Sequence, residues 1–140
     1  MARVHVWLFR KTKGRIGSKW RVGSAFPRGV PTCLLTTKGR VSGQPRTAPL
    51  LYLADADQVV LVASQGGLPR DPQWYRNLVE HPDVVVQIGG DVREMRARTA
   101  RDDERAKLWP RLVGLYRDFD TYQSWTDRVI PVVICEPRQA

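Results

Sequence analysis

Acidic residues are absent from the first 54 positions; Asp55 is the first Asp or Glu in a chain of 140 residues. Histidine and cysteine are almost as scarce, with His5, His81, Cys33 and Cys135 the full complement. His5 lies near the N-terminus and His81 precedes Pro82 at an expected helix end, so no Ser–His–Asp arrangement is motivated. Neither cysteine has another Cys or a His at metal-binding spacing, and no structural metal site is expected. Both sit in apolar runs and read as small buried hydrophobes in a reducing compartment, which excludes a disulfide scaffold. No apolar run approaches the roughly 20 residues of a membrane-spanning helix. The N-terminus lacks the apolar core and small-residue cleavage site of a signal peptide. A cytoplasmic chain is expected.

What is present suits one globular domain. Apolar residues are 42% and charged residues 26% of the sequence, ordinary values for a soluble protein. A chain of this length buries roughly 68% of its unfolded surface, enough for a core. The net charge of +9 is placed unevenly. Eight of the 23 Lys and Arg residues fall before position 31, and the remaining 15 are nearly balanced by all 14 acids. Residues 1–29 therefore read as a basic arm and 30–140 as the domain. The arm also carries Trp7, Leu8, Phe9, Ile16, Trp20 and Phe26. Aromatics among cations suit an anionic membrane surface, nucleic acid, or a tail that simply covers an edge of the domain.

The domain reads as six strands with inserted helices. Thr32–Thr37, Thr47–Leu53, Val59–Ala63, Val84–Ile88, Val92–Thr99 and Ile130–Cys135 are rich in β-formers and bounded by Gly, Pro or Asp turns. Pro72 opens a short helix to about Glu80. Asp102 to Tyr116 is the main helix, with Asp102 as its cap and Pro110 expected to kink it. A last helical turn spans about Phe119 to Trp125. Mostly antiparallel hairpins with helices outside predict an α+β fold, a small six-stranded antiparallel split β-barrel.

Two loops could carry chemistry. Lys38-Gly39-Arg40-Val41-Ser42-Gly43-Gln44-Pro45-Arg46 sets three cations, a hydroxyl and glycine-freed amides between strands. That equipment suits an anion such as phosphate, though it lacks Walker spacing; a solvated hairpin accounts for the same residues. Ser64-Gln65-Gly66-Gly67 permits close approach of backbone to a ring or phosphate, or is simply a turn. Trp74 and Tyr75 suit a ligand cover or the core. Tyr116, Phe119 and Tyr122 recur every three residues and line a pocket or the core. No metal signature appears, so any catalysis would rest on an organic cofactor.

Several segments carry a more specific likeness. They are Leu34-Leu35-Thr36-Thr37-x-Gly39-Arg40-x-Ser42-Gly43-Gln44-Pro45-Arg46-x-x-Pro49-Leu50, Ala63-Ser64-x-Gly66-Gly67, and Pro72-x-Trp74-Tyr75-x-Asn77-Leu78. Glu104-Arg105-Ala106 with Trp109, and Tyr122-Gln123-Ser124-Trp125-Thr126-Asp127-Arg128-x-Ile130-Pro131, complete the set. Across about residues 30–137 the chain resembles the deazaflavin-dependent nitroreductase family of actinobacteria, including its mycobacterial nitroimidazole-activating members. The resemblance implies a split barrel of the FMN-binding type that binds coenzyme F420, an 8-hydroxy-5-deazaflavin with a phosphate and a polyglutamate tail. It implies hydride transfer to a menaquinone-like quinone or to a nitroaromatic or nitroimidazole acceptor.

By motif position, the resemblance puts Arg40, Val41 and Ser42 beside the phosphate and tail, with Arg46 the main phosphate cation. Thr47, Ala48, Pro49, Leu50 and Leu51 follow along the cofactor. Val62, Ala63, Ser64 and Gln65 run beside the deazaflavin. Gln73, Trp74, Tyr75, Arg76 and Asn77 form another wall. Tyr116, Phe119 and Tyr122 line the acceptor pocket, Phe119 also touching the cofactor, and the Ser64 hydroxyl holds the acceptor. Val41 and Gln65 stand where the family often has Lys, and Phe119 and Leu51 where prodrug-activating members carry Tyr. Peripheral association with the inner face of the membrane through the arm is the matching expectation. The alternatives are a coenzyme F420 carrier without turnover and a nucleic-acid-binding module on the arm.

Overall fold

The computed structural model describes residues 31–138. The expected basic arm, residues 1–29, lies outside the described residues. The strands are β1 (Thr32–Lys38), β2 (Pro45–Leu51), β3 (Leu53–Asp55), β4 (Gln58–Val62), β5 (Asp83–Ile88), β6 (Asp91–Thr99) and β7 (Val132–Pro137). The helices are α1 (Gln73–Glu80), α2 (Asp102–Leu115) and α3 (Asp118–Ser124), and a 3-10 turn covers Gln65–Gly67.

All pairings are antiparallel, in the order β2-β1-β5-β6-β7-β4-β3. Seven strands replace the six expected because Thr47–Leu53 divides at Tyr52. Leu51 pairs with Thr32 of β1, whereas Leu53 pairs with Val60 of β4. β2 and β3 are thus opposite edges of the sheet, yet one residue joins them. Consecutive Cα atoms are about 3.8 Å apart, so the sheet must curl until its edges meet. This closes the barrel.

Alternation along the strands sorts the core. Cys33, Leu35, Val59, Leu61, Val84, Val86, Met95, Ala97, Val133 and Cys135 face inward, where Trp74 and Leu78 of α1 join them. The opposite face of β4 and β7, with Val60, Val62, Val132 and Ile134, packs on Leu108 and Leu112 of α2 and Phe119 of α3. β4 and β7 are buried on both faces, which is why they read as unbroken apolar runs. Burial and the neighbouring Cys135 push the Cys33 thiol up, and burial pushes Cys135 up to about 12. Both thiols are free and buried, as their apolar settings in the sequence predicted.

Two local expectations change, at the cap of α2 and at the start of the last strand. The cap of α2 is Arg101, in extended conformation, and not Asp102, which is the first helical residue. Glu104 does the capping work, its carboxylate accepting the Arg101 backbone N–H at 2.8 Å. α2 continues through Pro110; Ala106, whose carbonyl loses its donor there, lies with Pro110 on the exposed face, where water can replace the bond. The last strand begins at Val132 and not Ile130, because the Ile130 N–H is taken by Gln123 Oε1 at 2.9 Å and Pro131 has no N–H to give.

Candidate functional site

The β1–β2 loop is built as a compact polar cradle. Gly39 N–H donates to Gln44 O at 2.8 Å, and Gly43 N–H to Gly39 O at 2.8 Å. A Cβ on Gly39 would stand 3.0 Å from both Gln44 O and Ser42 Oγ, a contact tight enough that a neighbour would have to shift. Asn77 of α1, 3% exposed, pins this loop from below. Its Oδ1 accepts the Arg40 backbone N–H at 3.1 Å and Arg40 Nη1 at 3.0 Å, while its Nδ2 donates to Thr37 Oγ1 at 3.2 Å. Arg40 Nη1 also donates to Gln73 Oε1 at 2.7 Å. Arg46 is held more loosely, by one long bond of 3.4 Å to Ser42 Oγ. Across the strands, the Thr36 and Thr47 hydroxyls meet at 2.8 Å.

These residues enclose a cavity of about 480 Å³ lined by Gly39, Arg40, Val41, Ser42, Arg46, Thr47, Ala48, Gln73, Trp74 and Asn77. Its wall holds two cations and no acid. A second cavity of about 340 Å³ is lined by Ala48, Leu50, Leu51, Val62, Ser64, Gln65, Gly66, Pro72, Trp74, Tyr116, Phe119 and Tyr122. Ala48 and Trp74 belong to both walls. The two cavities are therefore successive lengths of one groove, cationic at one end and aromatic at the other.

The aromatic end is built where α2 gives way to α3. Tyr116 and Phe119 stand edge to face with centroids 5.0 Å apart, and Tyr116 and Tyr122 lie 6.2 Å apart. The Tyr116 and Tyr122 hydroxyls are 3.2 Å apart. That bond, with burial, pushes the Tyr116 phenol up, so it stays protonated through the neutral range. The facing loop reaches these rings because three successive residues, Gln65, Gly66 and Gly67, take positive φ. A Cβ on Gly67 would lie 2.7 Å from Tyr122 O, so only glycine lets the loop seat on α3.

Most residues named from the sequence meet along this groove. Pro49, Ala63, Tyr75 and Arg76 lie off its walls. Pro49 alternates away from Ala48 and Leu50 along β2, and Ala63 is in the inner core. The Tyr75 hydroxyl bonds Thr99 Oγ1 at 2.8 Å, and Arg76 is exposed on α1. Gly39 and Gly66 of the two candidate loops also line the groove, as does Pro72. Arg128 was given no role, yet its guanidinium gathers the carbonyls of Ala63, Ser64 and Leu68. Its position in an irregular stretch between a helix and a strand, followed by Val129 and Ile130, is the signal the sequence offered.

The sequence profile of F420H(2)-dependent quinone reductases matches residues 1–137. A Mycobacterium tuberculosis H37Rv protein with the provisional name F420H(2)-dependent quinone reductase Rv3178 is 53% identical over 118 residues, covering 84% of this chain and 99% of its own. The F420H(2)-dependent quinone reductase Rv1261c of the same organism is 38% identical, covering 99% of this chain and 91% of its own. A solved F420-H2 dependent reductase, FDR-A, superposes with a TM-score of 0.71 at 40% identity, over 76% of this chain and 94% of that one. The chain belongs to the F420H(2)-dependent quinone reductase family.

Proposed function

We propose that this protein is an oxidoreductase that passes a hydride from reduced coenzyme F420 to a quinone. The observation that carries the reading is the two-ended groove. A phosphate and polyglutamate tail need cations and hydroxyls, which Arg40, Ser42 and Arg46 supply at one end. A deazaflavin ring needs flat apolar walls, and Ala48, Trp74 and Val62 supply them beyond, with Ser64 and Gln65 beside them. The lining thus suits a cofactor whose phosphate lies at the cationic end and whose ring points toward the aromatic end. When bound, the reduced cofactor supplies a hydride from its C5 carbon.

The chain's own residues do the rest. Trp74, 9% exposed and fixed in the core, holds one wall rigid. Tyr116, Phe119 and Tyr122 form the acceptor end and exclude water from it. The Tyr116 and Tyr122 hydroxyls share one hydrogen bond, which uses one of their two protons and leaves the other as a donor for the quinone oxygen on which charge develops. Ser64 adds a second hydroxyl on the facing wall. A carrier without turnover would need only the cationic end, so the aromatic cavity favours the reductase. Phe119, which lacks a hydroxyl, favours quinones over nitroaromatics among acceptors. Peripheral binding to anionic lipid through residues 1–29 belongs to the same proposal, supported by their cations and aromatics.

The cationic end is tested by titrating the oxidised cofactor and following its fluorescence. Arg46→Ala should weaken binding by about tenfold or more, the loss of a charge-assisted bond. Arg40→Ala should weaken it less, because Gln73 and Asn77 already occupy that guanidinium. Equal affinities in both variants and the parent chain would remove the phosphate from this end.

A further inference from the structure

The loop that forms one wall of the aromatic cavity is wrapped around a single guanidinium. Arg128 Nη2 donates to Ser64 O at 2.7 Å, Nη1 to Ala63 O at 3.2 Å, and Nε to Leu68 O at 2.9 Å. Nη1 also meets the Asp71 carboxylate at 2.8 Å. All three guanidinium nitrogens are engaged, and the side chain is only 15% exposed. The pinned residues bracket Gln65, Gly66 and Gly67, whose positive φ values turn the chain sharply. Gln65 is not a glycine, so that conformation is strained and needs support from outside the loop.

Arg128 is itself fixed from the other side. Gln123 Nε2 donates to Arg128 O at 2.8 Å, and Gln123 Oε1 accepts from Arg105 Nη2 at 2.9 Å. Polar bonds thus run from α2 through α3 to Arg128 and on to the loop. The same α2–α3 segment carries Tyr116, at the end of α2, and Phe119 and Tyr122 of α3. Arg128 joins the two walls of the aromatic cavity, and neither core cluster includes it.

We propose that Arg128 is a positioning residue that sets Ser64 and Gln65 at their distance from the aromatic wall, and so fixes the ring-binding part of the groove without touching the phosphate end. This inference rests on the reading of the groove as a coenzyme F420 site. A Lys cannot replace it, because one ammonium lacks the planar fork that reaches four acceptors.

The test uses the full chain and two probes, oxidised coenzyme F420 and 8-hydroxy-5-deazariboflavin, which has the same ring but no phosphate or glutamate. Arg128→Ala and Arg128→Lys should each bind both probes more weakly by the same factor, about tenfold. Added methylguanidinium should restore ring binding to Arg128→Ala; Arg46→Ala, by contrast, should lose affinity for coenzyme F420 alone and bind the tail-less ring as the parent does. A folded Arg128→Ala protein, judged by its thermal transition, that binds the tail-less ring with parental affinity would overturn the inference. Should that variant not fold, Asp71→Asn keeps the three carbonyl bonds and should weaken ring binding about threefold; parental affinity there overturns it equally. A parent chain that binds neither probe contradicts the groove reading, and this inference falls with it.

Discussion

Phe119 lacks the one atom, a hydroxyl oxygen, that would put a further hydrogen-bond donor on the aromatic wall. It is 5% exposed, stands edge-on to Tyr116 at 5.0 Å, and lines the aromatic cavity with Tyr116 and Tyr122. Phe119→Tyr would add a donor at that wall. We expect the variant to raise kcat/KM for a nitroaromatic relative to menadione by about tenfold, one hydrogen bond's contribution. An unchanged ratio would show that the hydroxyl does not reach the acceptor. Arg40 marks the limit of reading single residues from sequence. Its loop was legible as anion-binding equipment because Gly, Ser and Arg cluster there. That its guanidinium is engaged by Gln73 and Asn77, 33 and 37 positions away, was not, since the pairing exists only once α1 packs under β1. Arg128 was missed for the same reason, its partners lying 57 to 65 positions upstream.

The elements are held by two contacts that can be tested separately. The 3-10 turn seats on α3 at Gly67. Gly67→Ala should destabilise the fold by about 1–3 kcal/mol, through positive φ and the clash with Tyr122 O together. Gly66→Ala, with positive φ but nothing within 4 Å, should cost about 1 kcal/mol. Equal shifts in chemical denaturation would mean that the close approach carries no weight. α2 is anchored by Arg98, whose Nη1 and Nη2 donate to Glu104 at 2.7 and 2.8 Å. These bonds, with the Arg101 N–H, hold the Glu104 carboxyl down to about 2, from an ordinary value of 4.5. A carboxyl depressed by folding stabilises above its unfolded value and loses that contribution as pH falls toward the folded value. The parent chain should therefore lose thermal stability between about pH 4.5 and 2 more steeply than Glu104→Gln, measured by circular dichroism; parallel slopes would contradict the assignment.

At this scale most of the sheet was readable, because doubly buried β4 and β7 are continuous apolar runs and hairpin turns carry Gly or Asp. The division at Tyr52 was not, since Leu50, Leu51, Tyr52 and Leu53 form one apolar run with no Gly, Pro or Asp to mark a break. What breaks the strand is a change of partner from β1 to β4, decided by barrel closure and not by local preference.

For the whole molecule, closure of the barrel has a functional consequence. Curling brings the β1–β2 loop, α1 and the β2 face to one side and α2 and α3 to the next, so that the cationic and aromatic cavities meet at Ala48 and Trp74. Among the described residues no helix is long and apolar enough to cross a membrane. A cofactor carrier, a phosphate-binding loop or a quinone pocket alone would each need only part of this groove. The continuous groove is what a two-substrate hydride transfer requires, because donor carbon and acceptor must come within near-attack distance, about 3–3.5 Å. The most direct measurement is anaerobic mixing of the protein with reduced coenzyme F420 and menadione, following the return of the oxidised deazaflavin absorbance. Enzyme-dependent return that saturates in both substrates is the predicted result. Cofactor binding with no return of absorbance over the uncatalysed rate, across quinones of differing size, would contradict the account.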